Sequence, residues 1–365
     1  MSGARVALVA ALAAIVVIAL GFFLARGLHA RAGAATATTP GATTPSTTPG
    51  THDAHAGGAT TPARPPADAG RGARATVVLS APWGGGDGQL GHRTDPESMT
   101  EGPMSFFADG HGVVVLDNVN RRVARFDAHG ATLPPIALDT DAAQDLARTR
   151  TGVAVLDRLH DKRITLYDRD GSPSGSISLA AAGFPDGAAV TGLFTDGDGA
   201  LWAEREHGAW ARVADGDGTP DATHVAAPGR PARAGHFVSE AITDRRAGRA
   251  RVTYFAALDN SPTWQSAVDF GAPLLYIALL DDDAGGRTYI GAHTGRESPS
   301  PPYAIVDETL VVVALDADGH EAGRLAVPAP PPREESFRDL YVGDDGTIYW
   351  MRRTPAGVVI EAYRI

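Results

Sequence analysis

A short pattern of glycines, apolar runs and acidic residues returns along this chain, and the repetition limits the folds that the chain can adopt. In Gly152–Gly171 and in Gly199–Gly218, a glycine, two acidic residues and a final glycine are separated by 5, 11 and 3 residues. Residues Gly112–Gly130 repeat the pattern with one spacing shorter by a single residue. Units of roughly 40–50 residues built of short strands are typical of a β-propeller.

Each unit is predicted to be a small antiparallel sheet. Asp-Gly and Asp-x-x-Gly sequences favour tight turns, and the runs between them, such as Val113–Leu116 and Arg163–Tyr167, have the length and composition of strands. One such sheet cannot bury its own faces, so neighbouring units are expected to stack around an axis.

The glycines that follow the first hairpin of each unit are assigned as Gly112, Gly152, Gly199, Gly248, Gly286 and Gly346. They span 234 residues in five steps, about 47 residues a step, which predicts an all-β propeller of six four-stranded blades. Five and seven blades are the alternatives.

The two ends of the repeat region complement each other. The last unit stops at Tyr363–Ile365, where its third strand ends, and the run Thr76–Ser80 belongs to no unit. We expect this run to pair with Val358–Ile365 as the missing fourth strand, which would remove two exposed sheet edges.

The segment from Asp117 to Phe126, DNVNRRVARF, resembles an NHL-type repeat, and residues 143–171 match that pattern in part. The resemblance implies a ring of four-stranded blades that usually serves as a binding scaffold, with lyases and lactonase-type enzymes among related propellers. It implies no particular activity. Asn120 and Arg122 belong to the structural part of the motif, so we expect them to stabilise the blade.

The predicted propeller, residues 74–365, follows three other segments. Residues 1–5 are short, residues 6–25 are twenty consecutive residues without a charge, and residues 26–73 form a linker dominated by Ala, Thr, Pro and Gly. The apolar run is long enough to cross a bilayer. It predicts a single-pass signal-anchor, with a cleaved signal peptide as the alternative, and places the propeller on the extracytoplasmic side of the plasma (inner) membrane. The linker is predicted to be a flexible tether.

The net charge of −11 and the absence of a basic footprint argue against nucleic acid as a partner. The expected partner is a cell-envelope protein or a small-molecule ligand. No zinc-protease, serine-hydrolase or nucleotide-binding motif occurs in the sequence.

Candidate ligand-binding residues lie in four long loops, at Trp83–Met104, Ala226–Glu240, Ala292–Asp307 and Pro328–Ser336, where extra length indicates function. The candidates are His92, Arg93, His236, His293, Arg296 and Tyr303, and Trp83 and Trp264 are expected beside them. A triad of the three histidines is the hypothesis that would make the protein an enzyme.

No catalytic residue or metal ligand is assigned. A cofactor is not evident, although a divalent cation such as calcium is a weaker alternative, since Asp196–Gly199 and Asp215–Gly218 resemble pieces of calcium loops. Turn chemistry explains both segments, and Asp281–Asp283 is predicted to be a solvated turn.

The sequence thus favours a binding or scaffolding module. The alternative is a propeller lyase or lactonase-like hydrolase that uses loop His and acidic residues.

Overall fold

A computed structural model describes residues 74–94, 99–329 and 334–365, without the side chains of residues 334 and 335. Over these ranges the chain forms six four-stranded antiparallel blades, so the predicted six-bladed propeller is confirmed. The predicted membrane segment 6–25 and linker 26–73 lie outside the described residues. Within the described ranges, no helix combines the length and the apolar character that crossing a bilayer requires.

The first fourteen strands are the closing strand β1, the short strand β2 and the strands of the first three blades. They are β1 (Thr76–Pro82), β2 (Thr100–Glu101), β3 (Ser105–Asp109), β4 (Gly112–Asp117), β5 (Arg122–Asp127), β6 (Thr132–Ala137), β7 (Asp145–Arg148), β8 (Gly152–Asp157), β9 (Arg163–Asp168), β10 (Pro173–Ser178), β11 (Val190–Thr195), β12 (Leu201–Arg205), β13 (Ala209–Ala214) and β14 (Ala226–Ala227). Blade 1 is β3–β6, blade 2 is β7–β10 and blade 3 is β11–β14.

The last three blades complete the ring. Their strands are β15 (Arg230–Pro231), β16 (Phe237–Asp244), β17 (Arg249–Phe255), β18 (Pro262–Asp269), β19 (Leu274–Asp282), β20 (Thr288–Glu297), β21 (Ile305–Leu315), β22 (Glu321–Pro328), β23 (Glu334–Glu335), β24 (Leu340–Val342), β25 (Ile348–Thr354) and β26 (Gly357–Tyr363). Blade 4 is β15–β18, blade 5 is β19–β22, and blade 6 is β24, β25, β26 and β1. Strands β2 and β23 form a separate parallel pair, and Gly187–Ala189 is a single turn of 3-10 helix.

The ring closes by pairing the first described strand with the last. Strand β1 runs antiparallel to β26, with Leu79 opposite Ile360 and Ala81 opposite Val358. Leu79 and Ala81 are buried in the apolar cluster that blade 6 shares with blades 1 and 2. The expected closure is confirmed. It covers the edge of β26, whereas β1 itself is the outermost strand of blade 6.

The core lies between neighbouring blades. Inner strands are buried on both faces, as in β3, where only Asp109 is half-buried. Outer strands are mostly exposed, and in β6 only Ile136 is buried. This gradient follows from the geometry of a ring, because the innermost strand of each blade has a blade on either side and the channel in front of it.

Asn120 and Arg122 hold a loop rather than a ligand. The buried carboxylate of Asp117 accepts hydrogen bonds from Asn120 Nδ2 at 2.8 Å, Arg122 Nε at 2.9 Å and the backbone N–H of Gly91 at 2.9 Å. Arg122 Nη2 also donates to the carbonyl of Gln89 at 2.7 Å. The motif therefore fastens residues 84–91 to blade 1, in agreement with the structural role expected for it.

One glycine of the predicted repeat was assigned wrongly. In blade 4 the inner strand β15 has only two residues, and its first turn contains Gly235, with φ +84°. Gly248 lies in the next hairpin, between β16 and β17. Because Gly248 also falls near the expected spacing, the period alone could not distinguish the two positions.

Candidate functional site

The strand order defines two faces of the ring. The top face carries the connections between blades and the hairpins between second and third strands. The bottom face carries the hairpins that join first to second and third to fourth strands. The long loops of the sequence-based prediction point to the top face. A cavity of about 310 Å³ opens instead at the bottom end of the central channel.

The side chains and backbone around this channel cavity come from all six blades. The lining includes Phe107 of blade 1, Arg148 and Arg150 of blade 2, Phe194, Thr195 and Asp196 of blade 3, Arg233 of blade 4, Ala284 of blade 5, and Arg338, Tyr341 and Asp344 of blade 6 and the connection before it. Every blade contributes to the wall because every inner strand ends beside the channel, and all blades except blade 5 contribute a polar or aromatic group.

A buried carboxylate organises the deep end of the cavity. Asp145, at the start of β7, accepts hydrogen bonds from Ser105 Oγ at 2.6 Å, from the backbone N–H of Leu193 at 2.8 Å and from Arg338 Nη2 at 2.7 Å. Its donors belong to blades 1 and 3 and to the connection before blade 6. Asp145 thus fixes Arg338 across the channel while it joins the inner strands.

A second set of buried charges lies near the bottom opening. Arg230 Nη2 is 2.8 Å from Asp281 Oδ1, and Arg233 Nη1 is 3.3 Å from the same oxygen. The backbone N–H of Val342 donates to Asp281 Oδ2 at 3.0 Å, and Arg233 also donates to the carbonyl of Asp282. The expectation of a solvated turn at Asp281–Asp283 is therefore wrong, because all three carboxylates are buried. Asp281 and Asp282 face the two arginines, and Asp283 accepts a hydrogen bond from the Tyr289 hydroxyl at 3.0 Å.

The pKa values of this set diverge. Burial opposes ionisation of Asp281, but Arg230 and Arg233 outweigh it and hold the pKa of that carboxyl below its usual value. Burial raises the pKa of Asp282, and the neighbouring Asp281 charge adds to this, to about 7. Burial lowers the pKa of Arg230, whereas the facing carboxylates overcome burial and raise that of Arg233. Arg233 therefore keeps its charge at the cavity wall.

Asp344 lies between two of the lining arginines. One carboxylate oxygen is 3.0 Å from Arg148 Nη2 and the other is 3.5 Å from Arg233 Nε. Arg148 has a second partner in Asp109, at 3.1 Å. The Asp344 side chain is 43% exposed, so this carboxylate faces the open part of the cavity.

The cavity also holds polar groups without partners. Arg150 is exposed at the opening, and among the described residues its guanidinium forms no ion pair or hydrogen bond. Its side chain lies against Gly199 and Gly216, where an added Cβ would come within 2.7 Å and 3.1 Å of it. The hydroxyl of Thr195 is buried and has no hydrogen-bond partner among the described residues.

The predicted top-face residues are held by their own neighbours. His92 stacks on Trp83 at 4.5 Å between ring centroids, and Trp83 Nε1 donates to the carbonyl of Thr354. Arg93 pairs with Glu101. These contacts therefore hold Trp83 and His92 to blade 6 and join Arg93 to Glu101.

A second group of predicted residues lies on blade 5. His293 is buried, stacks on Tyr276 and places Nδ1 2.7 Å from Glu308 Oε1. Arg296 pairs with Asp307 in a solvent-exposed contact, and exposed pairs contribute little to stability. Tyr303 is exposed, with φ +56°, in the turn between β20 and β21.

His236 lies on the opposite face from the other candidates. It ends the first hairpin of blade 4, at the bottom face, because Ala226–Glu240 contains β14 and β15 and is not one loop. His236 stacks on Tyr254 at 4.4 Å, and Tyr254 stacks on Trp264, which lies in strand β18 and not in a loop. Burial lowers the pKa of His236 to about 4.

The three histidines do not form a metal-binding triad. Among the described residues, ligand atoms of three His, Asp or Glu side chains approach within 4.8 Å in two groups, Asp157–His160–Asp161 and Asp316–Asp318–His320. Neither group contains His92, His236 or His293. Each group lies in a turn in which carboxylates accept backbone N–H bonds, as with Asp316 and the N–H of His320, so turn chemistry accounts for them.

Sequence reasoning missed the channel residues because they are adjacent only in the folded ring. Arg148, Arg233 and Asp344 come from three blades, and each looks like an ordinary turn residue in the linear chain. One signal was present. Charged residues stand directly beside buried inner strands, in ARTRTG at 147–152 and in DDDAGG at 281–286, where a charge needs a partner.

No protein-family model matches the chain, and no curated protein sequence matches it. Solved structures do. Hydrazine synthase of Kuenenia stuttgartiensis is 11% identical, with 68% of this chain and 72% of that chain covered and a TM-score of 0.44. A streptogramin B lyase is 10% identical, with 72% and 93% covered and a TM-score of 0.38. A gluconolactonase from Xanthomonas campestris is 16% identical, with 73% and 86% covered and a TM-score of 0.37.

Similarity at this level concerns the fold alone. The six-bladed β-propeller is established by the strand order of the chain itself, and these comparisons do not confirm the NHL type of its repeat.

Proposed function

We propose that the protein is a ligand-binding propeller that takes a small molecule in the channel cavity at its bottom face. The observation that carries this proposal is the convergence of polar and aromatic side chains from five of the six blades on one cavity of about 310 Å³, with Ala284 of the remaining blade at its edge. Binding sites are commonly concave, partly aromatic and supplied with a few placed polar groups. The volume is at the low end of the usual range of roughly 300–1,000 Å³, which suits a single-ring molecule better than a polymer.

Blocking the opening tests the proposal. Ala284 is exposed at the cavity edge, so Ala284→Trp is expected to fill the opening without disturbing the core. Ala131→Trp, at an exposed turn in blade 1, is the matched control. In a ligand-observed NMR screen of single-ring metabolites against the full-length protein, hits should be lost in Ala284→Trp and kept in Ala131→Trp. Hits that survive Ala284→Trp would place binding elsewhere.

We also propose that residues 6–25 anchor the protein in the plasma membrane and that residues 26–73 tether the propeller on the extracytoplasmic side. The uncharged run of twenty residues and the Thr-Pro-rich linker support this. Alkaline phosphatase fused after Ile365 should be active if the propeller is exported. Activity of a fluorescent protein that matures only in the cytoplasm, fused at the same point, would contradict the assignment.

An enzyme at the top face is the second candidate, and one observation favours it. The buried His293–Glu308 contact of 2.7 Å is the arrangement that orients an imidazole as a general base. A lactone or ester hydrolysis that is abolished in His293→Asn and unchanged in Ala284→Trp would support it. If no lactone or ester in a panel of such substrates is hydrolysed, ligand binding is left as the only proposed function.

A further inference from the structure

The lining of the channel cavity is rich in guanidinium groups. It holds four arginines, at 148, 150, 233 and 338, and two aspartates, at 196 and 344. Asp196 already accepts from the backbone N–H of Ala200 and from Trp202 Nε1, both at 2.8 Å. Asp109, Asp281 and Asp145, which lie behind the lining, already pair with Arg148, Arg233 and Arg338. Of the lining arginines, Arg150 is the one that forms no ion pair among the described residues. Guanidinium donors on the wall of a partly enclosed cavity favour an anionic ligand.

Asp344 marks the position at which such an anion fits. Its two oxygens contact guanidinium groups of blade 2 and blade 4, at 3.0 Å from Arg148 and 3.5 Å from Arg233. Neither arginine depends on it alone, since Arg148 also pairs with Asp109 and Arg233 with Asp281. A carboxylate in this place therefore bridges two cations across the channel without being needed to neutralise either of them.

Aromatic rings stand beside this bridge. Phe107, Phe194 and Tyr341 line the cavity, and the Arg233 guanidinium lies 5.2 Å from the centroid of the Tyr341 ring. Flat apolar walls next to guanidinium groups suit a planar ring that carries an acid group. The unpaired Arg150 at the opening adds a further donor.

We infer that the cavity binds a small carboxylate on a planar ring, and that Asp344 is a built-in competitor that occupies the carboxylate position in the free protein. This inference rests on the proposed function. The ligand carboxylate takes the donors of Arg148 and Arg233, and Arg150 closes on it from the opening. Asp344 sets the affinity, because the ligand must displace a carboxylate that is already in place.

The probe is 4-fluorobenzoate, titrated against the full-length protein by ¹⁹F NMR, with uncharged 4-fluorobenzamide as its partner of equal shape. The benzoate is expected to bind and the benzamide to bind at least about tenfold more weakly. Asp344→Asn should strengthen benzoate binding about five- to tenfold. Asp345→Asn changes the next residue, whose carboxylate pairs with Arg364, and should leave the affinity unchanged.

Arg150→Ala should weaken benzoate binding about tenfold. Arg246→Ala, which removes an exposed arginine of the top face, should leave it unchanged. Weaker benzoate binding in Asp344→Asn would overturn the competitor role. Tighter binding of 4-fluorophenyl phosphate than of the benzoate would overturn the choice of a carboxylate.

The failure of this inference can be told apart from failure of the proposed function. Equal binding of benzoate and benzamide, both lost in Ala284→Trp, would retain the small-molecule site and overturn the anionic ligand. No binding of either probe at millimolar concentration, to the wild type or to Asp344→Asn, would overturn the inference. Binding of both probes that is untouched by Ala284→Trp would overturn the channel site itself.

Discussion

Leu79 allows the closure of the ring to be tested in a single strand. Its side chain is 4% exposed and lies opposite Ile360 of β26, whereas Val77 in the same strand is 58% exposed. If β1 is the fourth strand of blade 6, Leu79→Ala opens a cavity in the core, and Val77→Ala removes atoms that are already in water.

The expected loss follows from burial. A buried Leu→Ala substitution costs roughly 2–5 kcal/mol, depending on how far the site collapses, and we take about 3 kcal/mol for Leu79. A surface substitution such as Val77→Ala stays within about 0.5 kcal/mol. Since a folded domain is stable by only about 5–15 kcal/mol, the loss at Leu79 is a large share of the total.

Urea unfolding followed by tryptophan fluorescence measures this difference. With a slope of about 3 kcal/mol per molar urea, a loss of about 3 kcal/mol lowers the midpoint by about 1 M. Val77→Ala should leave the midpoint within about 0.2 M of the wild type. The slope should not change, because both variants unfold the same ring.

Equal midpoints for the two variants would refute the closure, since β1 would then contribute no buried surface to the stable domain. A chain that begins after Pro82 provides a second test. Without β1, strand β26 is an open edge of unpaired backbone groups, and we expect this variant to self-associate in size-exclusion chromatography. A truncated chain that stays monomeric and keeps the wild-type midpoint would lead to the same refutation.

Three further predictions concern buried polar groups. Burial lowers the pKa of His236 to about 4 from about 6.5 in the unfolded chain, so the unfolded state binds the proton first and stability falls as the pH drops from 6.5 towards 4. Between pH 7 and pH 5, the wild type should therefore lose about 1–2 kcal/mol more of its free energy of unfolding than His236→Gln in urea titrations. Equal losses in the two proteins would contradict the pKa shift. Arg122→Ala leaves the buried Asp117 carboxylate without its cation and should cost about 3 kcal/mol, measured as a lower urea midpoint, while the exposed Arg121→Ala serves as control. The Asp145 carboxylate accepts hydrogen bonds from Leu193 and Arg338. Asp145→Asn replaces one of its accepting oxygens with an N–H₂ donor and should lower the calorimetric melting temperature by several degrees. An unchanged melting temperature would show that this carboxylate does not join the inner strands.

Local patterns accounted for much of the fold. The tight turns, the strand-length apolar runs and the unpaired run at Thr76–Ser80 predicted six blades and their closure, and the structure has both. These features can be read from neighbouring residues or from the number of repeats, because each blade is made of consecutive strands that pair with their sequence neighbours. The assignment failed at Gly248, where the two-residue strand β15 breaks the regular unit.

The candidate site depended on contacts between blades. Loop length pointed to the top face, but the cavity lies at the bottom face, where the turns are short. Asp281–Asp283 has the sequence of a solvated turn, yet Asp281 and Asp282 are buried against Arg230 and Arg233, which lie about fifty residues earlier in the chain. No spacing rule within one repeat relates residues on different blades of a ring.

The sequence by itself therefore determined the unit and the strand that completes the last one, because hydrophobic alternation and turn chemistry act within a few residues. It favoured six units over five or seven, and the structure decided for six. Only the tertiary structure decided which charges face one another. Arg148 is the last residue of β7, and Arg233 and Asp344 lie two residues after β15 and β24, so all three stand where inner strands end beside the channel. Closing the ring brings those strand ends together, and a pattern along the linear sequence carries no information about the distance between residues of different blades.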